Sequence, residues 1–358
     1  MPFHVTHPLV SSFFSIAGLA GLLSLLARYL SSTRSSKPID TKFVQNLNAT
    51  ARALPSSWYR TKEIYELERR AIFAKKWIFV SHRLRLSEVG SHVDFHEAGF
   101  QFYLVKNKEG VIEGFRGTYK DSQNAKIPIN VRVDDKGFIW VNLDTSKTPE
   151  DWSAEFNNID KMARHESFNF DDFRFDHTWG MSGDYNWKTL ADNYNECYHC
   201  KIAHPDAAAI ADLTAYKVEP KGGNIEHFAN VNAEAEKSGL KVVSNYYFPN
   251  ACMTVSPNFF YLMRCVPTSV CHCSMEYEVY RHKDASDEGF TTIDEMFKRI
   301  LAEDKWLCNN AQKNLNAGVF INGEMHPKLE QGPLYFQHRV RGILTAHHEL
   351  EKKAGKQI

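Results

Sequence analysis

Residues 186–206 read NWKTLADNYNECYHCKIAHPD, and both the fold and the chemistry of the chain turn on that stretch. His199 and His204 lie five residues apart, with Glu196 three before the first histidine and Asp192 a turn further back. Residues three and four apart share a helix face, so 192, 196 and 199 make a polar stripe where a core helix carries apolar side chains. A separation of five turns two side chains well over a right angle apart. Pro205 offers relief, because it disfavours helical geometry at the residue before it; the helix is expected to end near His204 and let that imidazole swing back toward His199. Two histidines and one carboxylate from elsewhere form the facial set that binds non-haem Fe(II) and leaves positions open. The plainer alternative is a helix bearing two unrelated surface histidines.

A third ligand is found about a hundred residues on. Thr291 to Leu315 form the clearest long helix of the sequence, with Phe297, Leu301, Cys308, Ala311 and Leu315 at the four-three spacing of an apolar stripe. Asp304 occupies the one missing place in that stripe. A carboxylate facing a core needs a cation, a hydrogen-bond set or a metal. Asp304 lacks a partner and the histidine pair lacks a third ligand, so matching the two satisfies both; Glu303, the competing carboxylate, falls just off the stripe.

The chain on either side is of mixed type. Residues 62–77, KEIYELERRAIFAKKW, offer a short amphipathic helix through Ile64, Leu67, Ile72 and Phe73. GSHVDFHEAGFQFYLVKNKEGVIEGF and KIPINVRVDDKGFIWVNLD then switch to short alternating runs, which predict four or five antiparallel strands with hairpin turns at KNKEG and DDKG. Residues 240–283 predict three or more strands of a second sheet, the last strongly alternating. This is an α+β pattern. Equal totals of 43 basic and 43 acidic residues give no net field toward nucleic acid. The seven cysteines, all at or after Cys197, lack the regular spacing of a secreted disulfide framework, and a reducing compartment is expected.

At the N-terminus, Leu9 to Ala27 run nineteen residues without a charge, followed by Arg28, Arg34, Lys37 and Lys42 against one acid, Asp40. Residues 1–30 are therefore expected to hold a membrane anchor that leaves the rest on the cytosolic side, a cleaved signal or organelle-targeting segment being the alternatives. Residues 31–57, rich in Ser, Thr and Lys, read as a linker.

NWKTLADNYNECYHCKIAHP together with AEDKWLCNNAQKNL, and the strand motif GFIWVNLD, resembles the catalytic α subunits of Rieske-type ring-hydroxylating and quaternary-amine oxygenases, closest to those of the choline monooxygenase type. The resemblance implies a β domain over 58–150 and a helix-grip catalytic domain, an antiparallel sheet with helices, over 151–350. It implies mononuclear Fe(II) held by His199, His204 and Asp304, with Glu196 as the acid that bridges toward a neighbouring subunit's cluster histidine. Asp192 is assigned as an acceptor for an imidazole N–H; Asn193 and Tyr198 are neighbours without assigned roles. The family also implies a [2Fe–2S] cluster on a Cys-x-His and a later Cys-x-x-His, an external reductase, dioxygen, and a homotrimer. Those cluster ligands should follow VIEGF, yet no cysteine precedes Cys197, and Phe115 and Arg116 run straight into Gly117 as though a cluster-binding block had been removed, by loss of an exon for example. The 58–150 segment is thus a truncated remnant of the Rieske-type domain.

The implied reaction is hydroxylation of a C–H next to a quaternary nitrogen, choline to betaine aldehyde hydrate, impaired without the cluster. A quaternary ammonium favours an aromatic cage. Tyr246, Tyr247, Phe259, Phe260 and Tyr261 offer rings, for each of which core packing is the competing account. The rival function is a redox-inactive, membrane-anchored ligand-binding module on the same helix-grip fold; metal-assisted hydrolysis is weaker, since no residue is marked as a dedicated base.

Overall fold

Strand β13, His272–His282, shows how sequence alternation becomes architecture in this computed structural model, which describes residues 51–121, 126–237 and 239–358. Cys273, Met275, Tyr277 and Val279 point to one side of the sheet and join one apolar core. Tyr280, beyond a register shift in its pairing with β7, joins a second core on the opposite side. The period of two along a strand thus feeds two cores from one ribbon. Around β13 runs a seven-stranded antiparallel sheet of order β7-β13-β12-β11-β10-β9-β8. Its other strands are β7 (Phe173–Gly183), β8 (Ala211–Lys221), β9 (Asn224–Val231), β10 (Val243–Tyr247), β11 (Ala251–Val255) and β12 (Phe259–Ser269).

Two three-stranded sheets precede it. One is ordered β1-β6-β5, from β1 (Trp77–His82), β5 (Asn130–Val133) and β6 (Phe138–Asn142); the other is β2-β3-β4, from β2 (His92–Glu97), β3 (Phe100–Lys106) and β4 (Ile112–Arg116). The expected hairpins at KNKEG and DDKG are the β3–β4 and β5–β6 turns. The two segments expected to give four or five strands form five, and a sixth precedes them. The additional one, β1, is buried along its whole length, so its sequence WIFVSH has no alternation to reveal it. Trp77, Phe79, Phe138 and Trp140 pack with Tyr247, Phe260 and Tyr280 of the large sheet.

Apart from one that packs Trp152 and Phe156 beside Trp140 in the second core, the helices lie toward the opposite face of the large sheet. The helices are the short α1 (Lys62–Glu68), α2 (Trp152–Phe156), α3 (Trp187–Tyr194), α4 (Cys200–Ala203), α5 (Pro205–Ile210) and α6 (Ala233–Lys237), and the long α7 (Asp287–Ala317) and α8 (Gln331–Ala354). Helices α3, α7 and α8 place Trp187, Leu190, Leu301, Cys308, Phe336 and Val340 in the core shared with Tyr261, Met263 and Tyr277. Helix α3 is fixed to the N-terminal part of the fold by a fully buried ion pair, Lys188 Nζ to Glu68 Oε1 at 2.5 Å, with Trp187 Nε1 donating to Glu68 Oε2 at 2.8 Å.

Three expectations are corrected here. The histidine helix does not run to His204: α3 stops at Tyr194, because Asn195 folds its side-chain amide back onto the Ala191 carbonyl at 2.8 Å. Helix α8 also presses against that carbonyl end, where Gly332 is required because a Cβ there would lie 2.2 Å from the Asn195 oxygen. Of the proposed ring cage, Tyr247 and Phe260 point into the core on the far side of the sheet. The membrane-anchored placement on the cytosolic side is also withdrawn: no helix among the described residues is long and apolar enough to cross a membrane, and the long helices α7 and α8 carry charges throughout. The segment 9–27 and most of the linker lie outside the described residues.

Candidate metal centre

Helix α3 begins at Asn186, whose side chain caps the Lys188 N–H and also accepts from Lys188 Nζ at 2.7 Å. Gln312 of α7 accepts the Asn186 N–H at 3.0 Å and the Thr189 hydroxyl at 3.1 Å, tying α3 to α7. Past Asn195 the chain turns through Cys197–Cys200, which form a disulfide with Cα atoms 5.0 Å apart, into the single turn of α4. His199 precedes that turn and His204 follows it, so the proline break does operate, one turn later than a continuous helix would need. The imidazole centroids come within 5.2 Å of each other.

Asp304 meets them from α7. Its Oδ1 lies 3.1 Å from His204 Nε2 and 3.5 Å from His199 Nε2, and accepts from Asn193 Nδ2 at 2.7 Å. Asp304 as a residue is 8 % exposed, close to the deep burial its place in the stripe implied. The other nitrogen of each ring is held by a second carboxylate: Glu196 contacts His199 Nδ1, and Glu303 Oε2 lies 2.8 Å from His204 Nδ1. A carboxylate at Nδ1 fixes the Nδ1–H tautomer and turns the Nε2 lone pair toward the shared point. The donor set therefore fits a divalent iron: two oriented imidazoles and one carboxylate from one side.

The charges agree with this arrangement. Burial works against a charged His199, but hydrogen bonds and charge from Asp304 and Glu196 overcome it and raise its pKa to about 9. His204 is raised in the same contest, through Asp304 and then Glu303. Asp304 itself is held below the ordinary carboxylate range, burial being outweighed by its bonds to the two histidines.

Asp192 sits elsewhere than expected. Its carboxylate accepts from Tyr59 Oη at 2.6 Å and from Gln337 Nε2 at 2.9 Å rather than from an imidazole, and burial lifts its pKa to about 7. Glu303, read from the sequence only as a competing ligand, orients His204 instead; Asn193, which had no role, holds Asp304. No sequence spacing signals either contact, because each joins two separate helices. The disulfide is a further departure, since no cysteine pairing was expected. Cys252, Cys265, Cys273 and Cys308 are free and buried in the core, and Cys271 packs its sulfur against the Tyr59 carbonyl at 3.6 Å. The strands of residues 77–142 hold no cysteine, so that segment does not supply the two thiolates of a [2Fe–2S] cluster.

A cavity of about 180 Å³ opens on the donor set. Tyr194, Tyr216, Tyr261 and Phe297 contribute rings, while Ile210, Leu213, Val231, Val242, Ile300 and Leu301 make it largely apolar. Among the described residues its lining contains no lysine or arginine, and His227 is kept neutral, its pKa lowered to about 3 by burial and then by Arg164. A second cavity of about 570 Å³ lies beside α3 and is bounded by Asp192, Glu196, Tyr198 and Glu330; Asn193, Glu196 and His199 line both.

Residues 170–346 match the family described as ring hydroxylating alpha subunit (catalytic domain). The chain thus carries a ring-hydroxylating α-subunit catalytic domain over those residues and is homologous to oxygenase subunits of Rieske-type monooxygenases, a lineage of oxidoreductases. Among curated relatives, the carnitine monooxygenase oxygenase subunit of Acinetobacter pittii is 22 % identical over 82 % of this chain and 94 % of its own length. The chloroplastic choline monooxygenase of Beta vulgaris is 21 % identical over 79 % of this chain and 75 % of its own. The fold is shared with the quaternary ammonium Rieske monooxygenase CntA in complex with an inhibitor, at TM-score 0.72 and 18 % identity, over 82 % of this chain and 96 % of that one. It is also shared with naphthalene 1,2-dioxygenase from Rhodococcus sp., at TM-score 0.64 and 15 % identity, over 85 % and 97 %.

Proposed function

We propose that this chain is the oxygenase component of a quaternary-ammonium monooxygenase of the choline type, with Fe(II) held by His199, His204 and Asp304. The observation that carries the reading is the convergence of both Nε2 atoms on Asp304 Oδ1, with a carboxylate behind each ring. Iron bound there supplies activation of dioxygen for insertion into a C–H bond. The protein's own part is to position and to exclude water. Tyr194, Tyr216, Tyr261 and Phe297 offer ring faces to a trimethylammonium, and the aliphatic lining keeps the C–H dry.

Among the described residues the lining holds no lysine or arginine, which favours choline over relatives' substrates that carry a carboxylate, since a buried carboxylate without a partner is costly. Electrons come from a separate protein, because the strands of residues 77–142 hold no cysteine for a cluster; the larger cavity leads through Glu196 to His199 and is the approach for that donor. A cluster-encoding block missing beside Phe115 and Arg116 remains part of this proposal, and an uninterrupted reading frame in the genomic sequence there, with no such block nearby, removes it.

The test is product analysis. Iron-loaded protein given reductant, dioxygen and choline, carnitine or glycine betaine in separate reactions is expected to form betaine aldehyde from choline and little product from the other two. Faster turnover of carnitine contradicts the choline assignment. Stoichiometric oxygen consumption with none of the three oxidised contradicts the quaternary-ammonium class.

A further inference from the structure

Cys200 brings a sulfur beside the two histidines. Its Sγ lies 3.8 Å from His199 Nε2, and Cys200, His199 and His204 each offer one ligand atom within 4.8 Å of the others. In a tetrahedral zinc site the sulfur and a ring nitrogen stand roughly 3.6 Å apart, from metal distances of about 2.3 and 2.0 Å. The sulfur is thus close to ligand distance already, but in the disulfide it is not a thiolate. Cys200 is buried at the cavity wall while Cys197 is half-buried, so a thiol from solution meets Cys197 first.

We propose that reduction of Cys197–Cys200 creates a second metal-binding state, in which Cys200 joins His199, His204 and Asp304 to take Zn2+. The inference rests on the reading of those three as metal ligands. A dithiol reductant attacks Cys197 Sγ; the Sγ–Sγ bond breaks and Cys200 departs as the leaving thiolate. The reductant's second thiol then displaces Cys197 and closes its own disulfide, so two electrons and two protons pass to the cysteine pair. Three ligands leave positions for substrate and oxygen, whereas four, one of them a thiolate, make the closed tetrahedral set typical of structural zinc. Oxidation state thereby selects between an open iron site and a closed zinc site on one set of side chains.

The experiment uses the full chain, disulfide-intact or reduced with a phosphine, with Zn2+ affinity measured by competitive dialysis and Co2+ as an optical probe. Thiol alkylation before and after reduction verifies the pair by mass. Reduced protein is expected to bind Zn2+ at least about tenfold more tightly and to show a sulfur-to-cobalt charge-transfer band absent from the oxidised form. Cys197→Ser should behave as reduced protein without reductant, and Cys200→Ser should ignore reduction. Equal Zn2+ affinity in both states, no sulfur band, or full tightening in Cys200→Ser overturns the proposal. If oxidised protein binds Fe(II) while zinc binding ignores the disulfide, only this inference fails; if neither form binds metal, the metal-ligand reading fails with it.

Discussion

A carboxylate behind each imidazole decides what His199 and His204 can do, since it sets which ring nitrogen is free. Glu303 was legible as an acid next to the stripe but not as the partner of His204, a contact that depends on α4 and α7 meeting across a hundred residues. Replacing it by Gln keeps the shape and weakens the acceptor, so Fe(II) affinity measured by competitive chelation should fall about ten- to hundredfold; unchanged affinity would show that Glu303 does not orient the ring. Asp192 makes a pH-dependent prediction. Its folded pKa of about 7 exceeds the unfolded value of about 3.9, so the folded state holds the extra proton and stability declines as pH rises between those values. In Asp192→Asn that decline should be shallower. Urea midpoints at several pH values between 4 and 8 check it, and an unaltered slope assigns the effect to other groups.

At the scale of elements, long amphipathic helices and hairpins were legible, while segments lacking a period were not. Helix α7 was visible from its stripe, although Gln312 rather than Ala311 is the buried residue near its end. Helix α8 went unassigned because Gly332 and Pro333 stand in its first turn, where proline is tolerated but looks like a breaker. Strands β8 and β9 went unassigned, since β8 forms the sheet edge and is mostly uncovered. The contact that matters most for the site is the Lys188–Glu68 pair, which no local pattern reveals: a lysine at the start of a helix reads as a surface residue. Lys188→Met leaves Glu68 buried without its cation and should destabilise the protein by roughly 3–5 kcal/mol. Denaturant unfolding of this variant beside Lys188→Met/Glu68→Gln checks the cause, for the double variant should recover part of the loss.

The whole molecule builds its cavity from both layers, Tyr261 from the sheet and Phe297 from α7, with Tyr194 at the end of α3. Sequence reading chose rings from the right sheet but could not sort its faces, because β12 is buried on both sides and lacks the alternation that distinguishes them. If the rings hold an ammonium, Tyr261→Leu should weaken choline binding by about tenfold, in line with ~1–2 kcal/mol for a desolvated cation over a ring. Calorimetry against 3,3-dimethylbutanol, choline's uncharged isostere, provides the control: equal losses for both ligands would mean that only shape was removed. The account as a whole depends on one iron at the point where α4, α5 and α7 meet. X-ray absorption at the iron edge, on anaerobically Fe(II)-loaded protein and its Asp304→Ala variant, tests this most directly. The account predicts one iron per chain in a nitrogen and oxygen shell with imidazole scattering, lost in the variant. A wild-type chain that retains no iron, or an iron environment unchanged by Asp304→Ala, would contradict it.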